Sequence, residues 1–191
     1  MAQQLEYPFT GDKVRTLKAG ETVNVSGRII TGRDRLHKFL YDGGKSPVDL
    51  KDSGIYHCGP VVIRRDGVWQ VRAAGPTTSL REESYMPDII AKHHVRVIVG
   101  KGGMGENTRR ACAEHGCVYL QAVGGAAALL AQSVEDVKNV YMMKEFGAAE
   151  AVWELQVSGL EAVVTIDALG KSLHKRIKTI SRKALKEILT G

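Results

Sequence analysis

The stretch VRVIVGKGGMGENTRRA (residues 95–111) joins a short apolar run to a glycine-rich turn and then to a polar segment. The run from Val95 to Val99 is typical of a buried strand. A helix is predicted from Asn107 to His115, with Gly116 ending it. Because a strand that turns directly into a helix is the repeating unit of α/β proteins, the stretch predicts an α/β fold with βαβ-like units.

The turn Gly100–Gly105 has its glycines at the spacing G-x-G-x-x-G, which nucleotide-binding folds use to approach a pyrophosphate. Such a site also needs an acidic residue about twenty positions further on, and the next strand ends in LQAVGG (120–125), which has none. What remains is a helix N-terminus whose N–H groups favour an anion, with Lys101 adding a cation beside it. A nucleotide-binding oxidoreductase that uses Gly100–Gly105 is kept as an alternative function.

The remainder of the chain divides into a β-rich front and βαβ-like units behind it. Strands are predicted at Thr22–Ile30, Ile55–Ile63, Val68–Ala73, Cys117–Val123, Val152–Val157 and Ala162–Asp167. Further helices are predicted at Asp34–Tyr41, at Glu82–His93 with an interruption or start near Pro87, and around Ala148–Ala151. The dipeptide Asp66-Gly67 indicates a hairpin turn. With no internal repeat or linker, residues 1–191 are expected to form a single domain.

Composition excludes several classes of protein. Hydrophobic residues make up 43% of the 191 residues and charged residues 25%, which is an ordinary globular balance. No apolar stretch is long enough to cross a membrane, and MAQQLEYPFT lacks the features of an export signal. The three cysteines, Cys58, Cys112 and Cys117, form no CxxC pair, which argues against a disulfide framework and a self-contained metal site. A cytoplasmic location is expected.

The net charge of +6 is concentrated at the end of the sequence. Residues 171–191 carry seven lysines and arginines against the single acid Glu187. The apolar residues between them recur at helical spacing, which predicts a basic amphipathic helix at about 171–190. A terminal helix docked on the domain is the favoured interpretation. A nucleic-acid module is the alternative, although the aromatic platforms and Arg/Gly repeats that would support it are absent.

Three cationic side chains occur where predicted strands lead into helices. Arg33 lies in TGRD (31–34), Arg81 ends GPTTSLR (75–81), and Lys101 lies in the glycine turn. Ligands of α/β folds bind at the carboxyl ends of strands, and guanidinium groups bind carboxylates through two parallel hydrogen bonds. Two arginines and a lysine would therefore suit a small dicarboxylate substrate.

A family resemblance extends over nearly the whole chain. The sequence closely resembles the β subunit of two-subunit class I fumarases and L(+)-tartrate dehydratases, which is equivalent to the C-terminal domain of single-chain class I fumarases. The motifs that carry it are SGRIITGRDRLHK (26–38), YHCGPV (56–61), AAGPTTSLR (73–81), GKGGMGENT (100–108), YLQAVGGAAALLA (119–131), EFGAAEAVWELQV (145–157) and VTIDALGKSL (164–173).

The resemblance implies a swivelling β/β/α domain and a reversible hydration of a four-carbon dicarboxylate. Fumarate is favoured over tartrate as the substrate. In the family a 4Fe–4S cluster, whose unique iron acts as a Lewis acid on the leaving hydroxyl, is held by cysteines of the α subunit. This chain is therefore expected to work with a cluster-bearing α subunit, as an α2β2 assembly or with a homodimer of the chain itself, and to hold no metal.

The resemblance also implies roles for particular residues. Thr77, the first threonine of GPTT, matches the catalytic base, and Arg33, Arg81 and Lys101 match ligands of the substrate carboxylates. His37 is expected to orient Arg33 or Asp34. Two motifs depart from the single-chain enzymes, which commonly have TTAGR where this chain has TTSLR (77–81) and Lys-Gly-Asn-Arg where it has KGGM (101–104). No residue after Lys101 in that turn is therefore assigned as a ligand.

Overall fold

The structure, a computed structural model, describes residues 2–190, with the backbone alone at Thr190. Its strands are β1 (Gln3–Glu6), β2 (Thr22–Thr31), β3 (Gly54–Tyr56), β4 (Val61–Arg65), β5 (Val68–Ala73), β6 (Val97–Gly100), β7 (Val118–Gln121), β8 (Val134–Tyr141) and β9 (Val152–Ile166). Its helices are α1 (Gly11–Arg15), α2 (Asp34–Tyr41), α3 (Met86–His93), α4 (Glu106–His115), α5 (Ala127–Ala131), α6 (Met143–Phe146) and α7 (Leu173–Thr190), with a 3-10 helix at Ser79–Glu82.

Five of these strands close into a barrel-like sheet. Strands β2, β3, β6 and β7 pair in parallel in that order, and β9 runs antiparallel to both β7 and β2, which closes the ring. The 15 residues of β9 make this possible, because Val163–Ile166 pair with β7 while its first half pairs with β8. Strand β1 extends the sheet beside β2, and β4 and β5 form a separate hairpin. The chain is thus mixed α/β with a sheet-rich core.

The alternation of side chains along the strands separates two apolar cores. In β6, Val97 and Val99 belong to one core with Trp153, whereas Ile98 belongs to the other with Leu36 and its neighbours on the helices. Because successive side chains of a strand point to opposite faces, one core fills the ring and the other lies beneath the helices α2, α3 and α4. Both faces of β6 are buried, which accounts for the uninterrupted apolar run in its sequence.

The parallel pairing determines where the functional loops meet. Strands β2, β3, β6 and β7 end at Thr31, Tyr56, Gly100 and Gln121, and parallel strands have their carboxyl ends at the same edge of the sheet. The segments that carry Arg33, His57 and Lys101 follow these strands directly. This edge is the location predicted for ligands of an α/β fold.

Several predicted elements differ from the structure. The strand predicted at Ile55–Ile63 is split into β3 and β4, the two strands predicted after residue 151 are the single strand β9, and β8 was not predicted. The helix predicted at Glu82–His93 begins at Met86, which confirms the predicted start near Pro87, and Glu82 belongs to the preceding 3-10 helix. No helix occurs around Ala148–Ala151, where two carbonyls bond to side chains outside the segment: Ala148 accepts from Trp153 Nε1 at 2.9 Å and Ala149 from Arg33 Nη1 at 3.2 Å.

The basic terminal helix is present as α7, but the expectation that its apolar side is docked on the domain is wrong. Ile177 is 51% exposed, Ile180 58%, Leu185 55% and Ile188 77%. The first turn of the helix does make a close contact, since a β-carbon at Gly103 would lie 2.8 Å from His174 Nδ1. Within residues 2–190, no helix is both long enough and apolar enough to span a membrane.

The exposure of α7 predicts how a truncated chain behaves. Removing residues 182–191 should change the free energy of unfolding by less than about 0.5 kcal/mol, because exposed side chains contribute little to stability. Chemical denaturation measures this, with Ile30→Ala as the comparison, since Ile30 is buried and its truncation should cost about 2–5 kcal/mol. A truncation that destabilises the chain as strongly as Ile30→Ala would contradict the exposed placement.

Candidate functional site

The segment after β5 is held between two strand ends by backbone hydrogen bonds. The Thr77 N–H donates to the His57 carbonyl at 2.7 Å, the Lys101 N–H donates to the Thr77 carbonyl at 3.2 Å, and the Ser79 N–H donates to the Lys101 carbonyl at 2.9 Å. Thr78 and Lys101 pair as neighbouring strands do. We call residues 77–79 with His57 and Lys101 the seam. The seam places Thr77 beside Lys101, although Lys101 lies 24 positions after it in the sequence.

The hydroxyl of Thr77 lies within this seam. Its Oγ1 donates a hydrogen bond of 3.0 Å to the His57 carbonyl, the same oxygen that accepts from the Thr77 N–H. The side chain is half-buried. The hydroxyl proton is therefore held by the protein, while the oxygen keeps lone pairs with which it can accept a hydrogen bond.

Both predicted arginines are paired with carboxylates of the chain itself. Arg33 Nη2 lies 3.2 Å from Glu150 Oε1, and Arg81 Nη2 lies 3.0 Å from Asp34 Oδ2. Since Asp34 directly follows Arg33 in the sequence, the second ion pair brings Arg81 to the start of α2, next to Arg33. Within residues 2–190, the Lys101 ammonium group has no carboxylate within 4.0 Å. Arg33, Arg81, Thr77 and Lys101 thus lie along one edge of the sheet.

His37 is buried beneath this edge and contacts the backbone of Arg33. Its Nδ1 lies 2.7 Å from the Arg33 carbonyl, and because a carbonyl can only accept, this nitrogen carries the proton. The ring packs edge-on against that of His57, with centroids 4.9 Å apart. Burial lowers the pKa of His37 to about 4, so the ring is neutral near neutral pH. His37 therefore supports the N-terminus of α2 without adding charge.

The sequence did not indicate a role for the buried polar residues below the seam. His57 Nδ1 lies 2.8 Å from Ser79 Oγ, and the Tyr119 hydroxyl donates to the same oxygen at 3.0 Å. Glu82 is buried at the end of the 3-10 helix, near His37. A possible signal was the occurrence of His57 and Tyr119 in otherwise apolar strand segments, because buried polar side chains require partners.

The N-terminus of α4, where the glycine pattern suggested an anion site, is occupied by Glu83. Its carboxylate accepts from the N–H groups of Gly105 at 2.7 Å, Asn107 at 3.0 Å and Thr108 at 3.2 Å, and from the Thr108 hydroxyl at 2.7 Å. These are the N–H groups that a bound phosphate would need. The anion at this helix N-terminus is therefore part of the protein, which removes the basis for the nucleotide-binding alternative.

The spacing of the glycines follows from packing within the chain. A β-carbon at Gly100 would overlap Ser79 Oγ, so only glycine permits the seam to approach β6 this closely. A β-carbon at Gly105 would lie 2.5 Å from Glu83 Cδ, and would displace the carboxylate that caps α4. Gly100 and Gly105 are thus required because a β-carbon at either position would collide with Ser79 or Glu83.

The cysteines do not form a metal site. Cys58, Cys112 and Cys117 are buried and free, and burial raises the pKa of Cys58 to about 12 and that of Cys117 well above its ordinary value. Among residues 2–190, no group of three or more His, Cys, Asp or Glu side chains is arranged to hold a metal ion. The donor set that an iron–sulfur cluster needs, several thiolates converging on one point, is not found in the described part of the chain.

Comparison with known proteins gives consistent matches. A family model described as Fumarase C-terminus matches residues 2–177. A Geobacillus stearothermophilus protein with the provisional name fumarate hydratase class I is 49% identical over 184 residues, which cover 96% of this chain and 35% of that protein. The chain therefore spans only about a third of the length of this relative.

Two other relatives are named as separate subunits. A Methanocaldococcus jannaschii protein, provisionally named L(+)-tartrate dehydratase subunit beta, is 38% identical over 97% of this chain and 99% of its own length. The L(+)-tartrate dehydratase subunit beta of Escherichia coli K12 is 31% identical over 91% of this chain and 87% of its own length.

The contacts of Glu83 predict that it stabilises the turn. Glu83→Ala should lower the free energy of unfolding by about 1–3 kcal/mol, because it leaves the first N–H groups of α4 without their carboxylate. Urea denaturation measures the loss. The matched control is Glu114→Ala near the other end of α4, where the carboxylate is 75% exposed. That change should lower the free energy of unfolding by less than about 0.5 kcal/mol. Equal losses in the two variants would contradict the capping role.

Proposed function

We propose a function for this chain from one established premise: it belongs to the fumarase C-terminus family. The proposed function is that of the β subunit of a hydro-lyase that hydrates fumarate to L-malate. The observation that carries it is the convergence of Arg33, Arg81, Thr77 and Lys101 on one edge of the sheet, in a chain 49% identical to a relative named as a fumarate hydratase.

Arg33, Arg81 and Lys101 would bind the two carboxylates of the substrate. A guanidinium group has five N–H donors, more than one ion pair uses, and its planar geometry suits hydrogen bonds to carboxylates. Lys101 adds a point charge next to Thr77, with no carboxylate nearby among residues 2–190 to neutralise it. The three cations therefore favour a substrate with two negative charges.

Thr77 would move the proton at the carbon that becomes bonded to hydrogen. An unperturbed hydroxyl is too weak a base for this step, so the alkoxide form must be favoured by positive charge nearby. The alkoxide would also lose the bond that Oγ1 now donates to the His57 carbonyl. Arg81 and Lys101 are the groups of this chain that can offset that loss electrostatically.

The iron–sulfur cluster of the family would be held by a partner, since the described residues of this chain do not fit it. We therefore assign to this chain the binding of the carboxylates and the proton transfer at Thr77. The cluster-bearing partner is proposed to be an α subunit, because two relatives of similar length are named as β subunits. The chain is proposed to act as one swivelling β/β/α domain that closes over the substrate, in an α2β2 assembly.

Dehydration of L(+)-tartrate is the second candidate. The observation that favours it is that the relatives named for this activity match this chain over 99% and 87% of their own lengths. Fumarate is preferred because the relative named for that activity has the higher identity, 49% against 38% and 31%.

The experiment that tests the function is anaerobic co-expression of this chain with the neighbouring reading frame. Hydration of fumarate and dehydration of L-tartrate are then both assayed on the purified complex. We expect hydration of fumarate to be the faster reaction. Activity only with L-tartrate would select the second candidate, and tight binding of NAD(P) by this chain alone, without either activity, would contradict both.

The role of Thr77 is tested in the same complex. Thr77→Ala should reduce kcat by more than about 100-fold with KM little changed, since general bases commonly contribute a factor of that size, and Thr77→Ser should keep part of the activity.

The matched control is Thr78→Ala, which removes a hydroxyl from the neighbouring, exposed position of the seam and should leave kcat within a few-fold. Full activity of Thr77→Ala, or equal losses in the two variants, would overturn the assignment.

A further inference from the structure

Glu82 is a buried carboxyl group next to the cations of the site, and it forms no hydrogen bond. Its side chain is 1% exposed, and neither Oε1 nor Oε2 has a hydrogen-bond partner among residues 2–190. His37 Nδ1 lies 3.4 Å from Oε2, and this nitrogen already donates to the Arg33 carbonyl. Because an ionised carboxylate in such a position loses its solvation without compensation, the neutral acid is favoured.

Several charged groups around Glu82 affect the pKa of its carboxyl group. Burial is the main cause that raises the pKa of Glu82 to about 7, and the negative charges of Asp34 and Glu150 act in the same direction. Arg81 and Arg33 act in the opposite direction. The rings of His37 and His57 supply no positive charge near neutral pH, because burial lowers the pKa of the first to about 4 and that of the second well below its ordinary value.

The charge of the site therefore depends on Glu82. Arg33, Arg81 and Lys101 are three cations, and Glu150 and Asp34 are the two carboxylates paired with the arginines. With Glu82 neutral, the set carries one net positive charge, which favours an anionic ligand. An ionised Glu82 cancels that charge. The ionised form also leaves a buried negative charge beneath the arginines, where it repels a dicarboxylate.

We propose that Glu82 is a positioning residue that acts in its protonated form, and that it takes up a proton when a dicarboxylate binds to Arg33, Arg81 and Lys101. The inference rests on the proposed function, because it assumes that these cations receive the substrate. A bound dicarboxylate makes ionisation of Glu82 less favourable, and by linkage protonation of Glu82 strengthens binding of the dicarboxylate.

The sign of the pH effect follows from this linkage. Below about pH 7 Glu82 is mostly neutral and the site binds the substrate. Above about pH 7 the fraction of enzyme with a protonated Glu82, which is the form that binds the substrate, falls with each unit of pH. KM for the dicarboxylate should therefore rise on the order of tenfold between pH 6 and pH 8, while kcat at saturation changes less.

The test compares KM across this pH range in the reconstituted two-subunit enzyme and in its Glu82→Gln variant. Glutamine is a neutral isostere of the protonated acid, so Glu82→Gln should keep the low KM of the wild type at pH 6 and hold it at pH 8. The control is Glu135→Gln, which removes an exposed carboxylate on β8 and should keep the wild-type profile. A KM for Glu82→Gln that rises with pH like the wild type, or that is raised at every pH, would overturn the proposal.

A second measurement requires neither the variant nor the hydro-lyase activity. The glutamate side-chain carboxyls of the wild-type chain are labelled with ¹³C and titrated by NMR. One resonance should titrate near pH 7, and its midpoint should move upward with succinate but not with propionate, which has a single carboxylate.

The two experiments distinguish a failure of the proposal for Glu82 from a failure of the proposed hydro-lyase function. If the complex neither hydrates fumarate nor dehydrates L-tartrate but the resonance behaves as expected, the proposed function fails and the role of Glu82 stands. If the complex is active but no glutamate titrates near pH 7, or succinate leaves its midpoint unchanged, the proposal for Glu82 is overturned and the function stands.

Discussion

Three backbone hydrogen bonds, of 2.7, 3.2 and 2.9 Å, hold Thr77 and Ser79 between His57 and Lys101, and the geometry of the candidate site depends on them. They join segments that follow β3, β5 and β6, so they determine where the Thr77 hydroxyl lies relative to the Lys101 ammonium group. Ser79 anchors the same segment through its side chain, which contacts both His57 and Tyr119. Because buried side chains hold the seam in place, the side chains of Thr77 and Lys101 are positioned before any ligand binds.

The arginines are positioned by a different means. Each is held by a carboxylate of the chain, Arg33 by Glu150 and Arg81 by Asp34. In the proposed function, a substrate carboxylate would bind to N–H donors that these ion pairs leave free, on guanidinium groups that are already oriented. The free energy of that binding would depend on the total charge around the arginines. Glu82 interacts electrostatically with both arginines, and its burial favours the neutral form of its carboxyl group.

Local patterns predicted the parts of the fold that depend on neighbours in sequence. The hairpin at Asp66-Gly67, helix α2 and the end of α4 at Gly116 all follow from residues a few positions apart. The failures occur where distant residues decide the backbone. The Ala149 carbonyl bonds to Arg33, 116 positions away, in place of a helical N–H group, and a sequence window around residue 149 contains no sign of Arg33. For α7, the spacing of apolar residues shows which side is hydrophobic but not what covers it.

The glycine turn shows why one sequence pattern can serve two physical purposes. A pyrophosphate needs glycines so that the backbone can approach it, and here Ser79 and Glu83 impose the same requirement from within the chain. Both situations place an anion at the N-terminus of the helix, and in this chain the anion is the Glu83 carboxylate. In the sequence the missing acidic residue argued against a dinucleotide, but Glu83 lies 22 positions before Gly105 and only the fold brings them together. Since the helix N-terminus is already neutralised, Lys101 is the group of this turn that remains to meet a ligand.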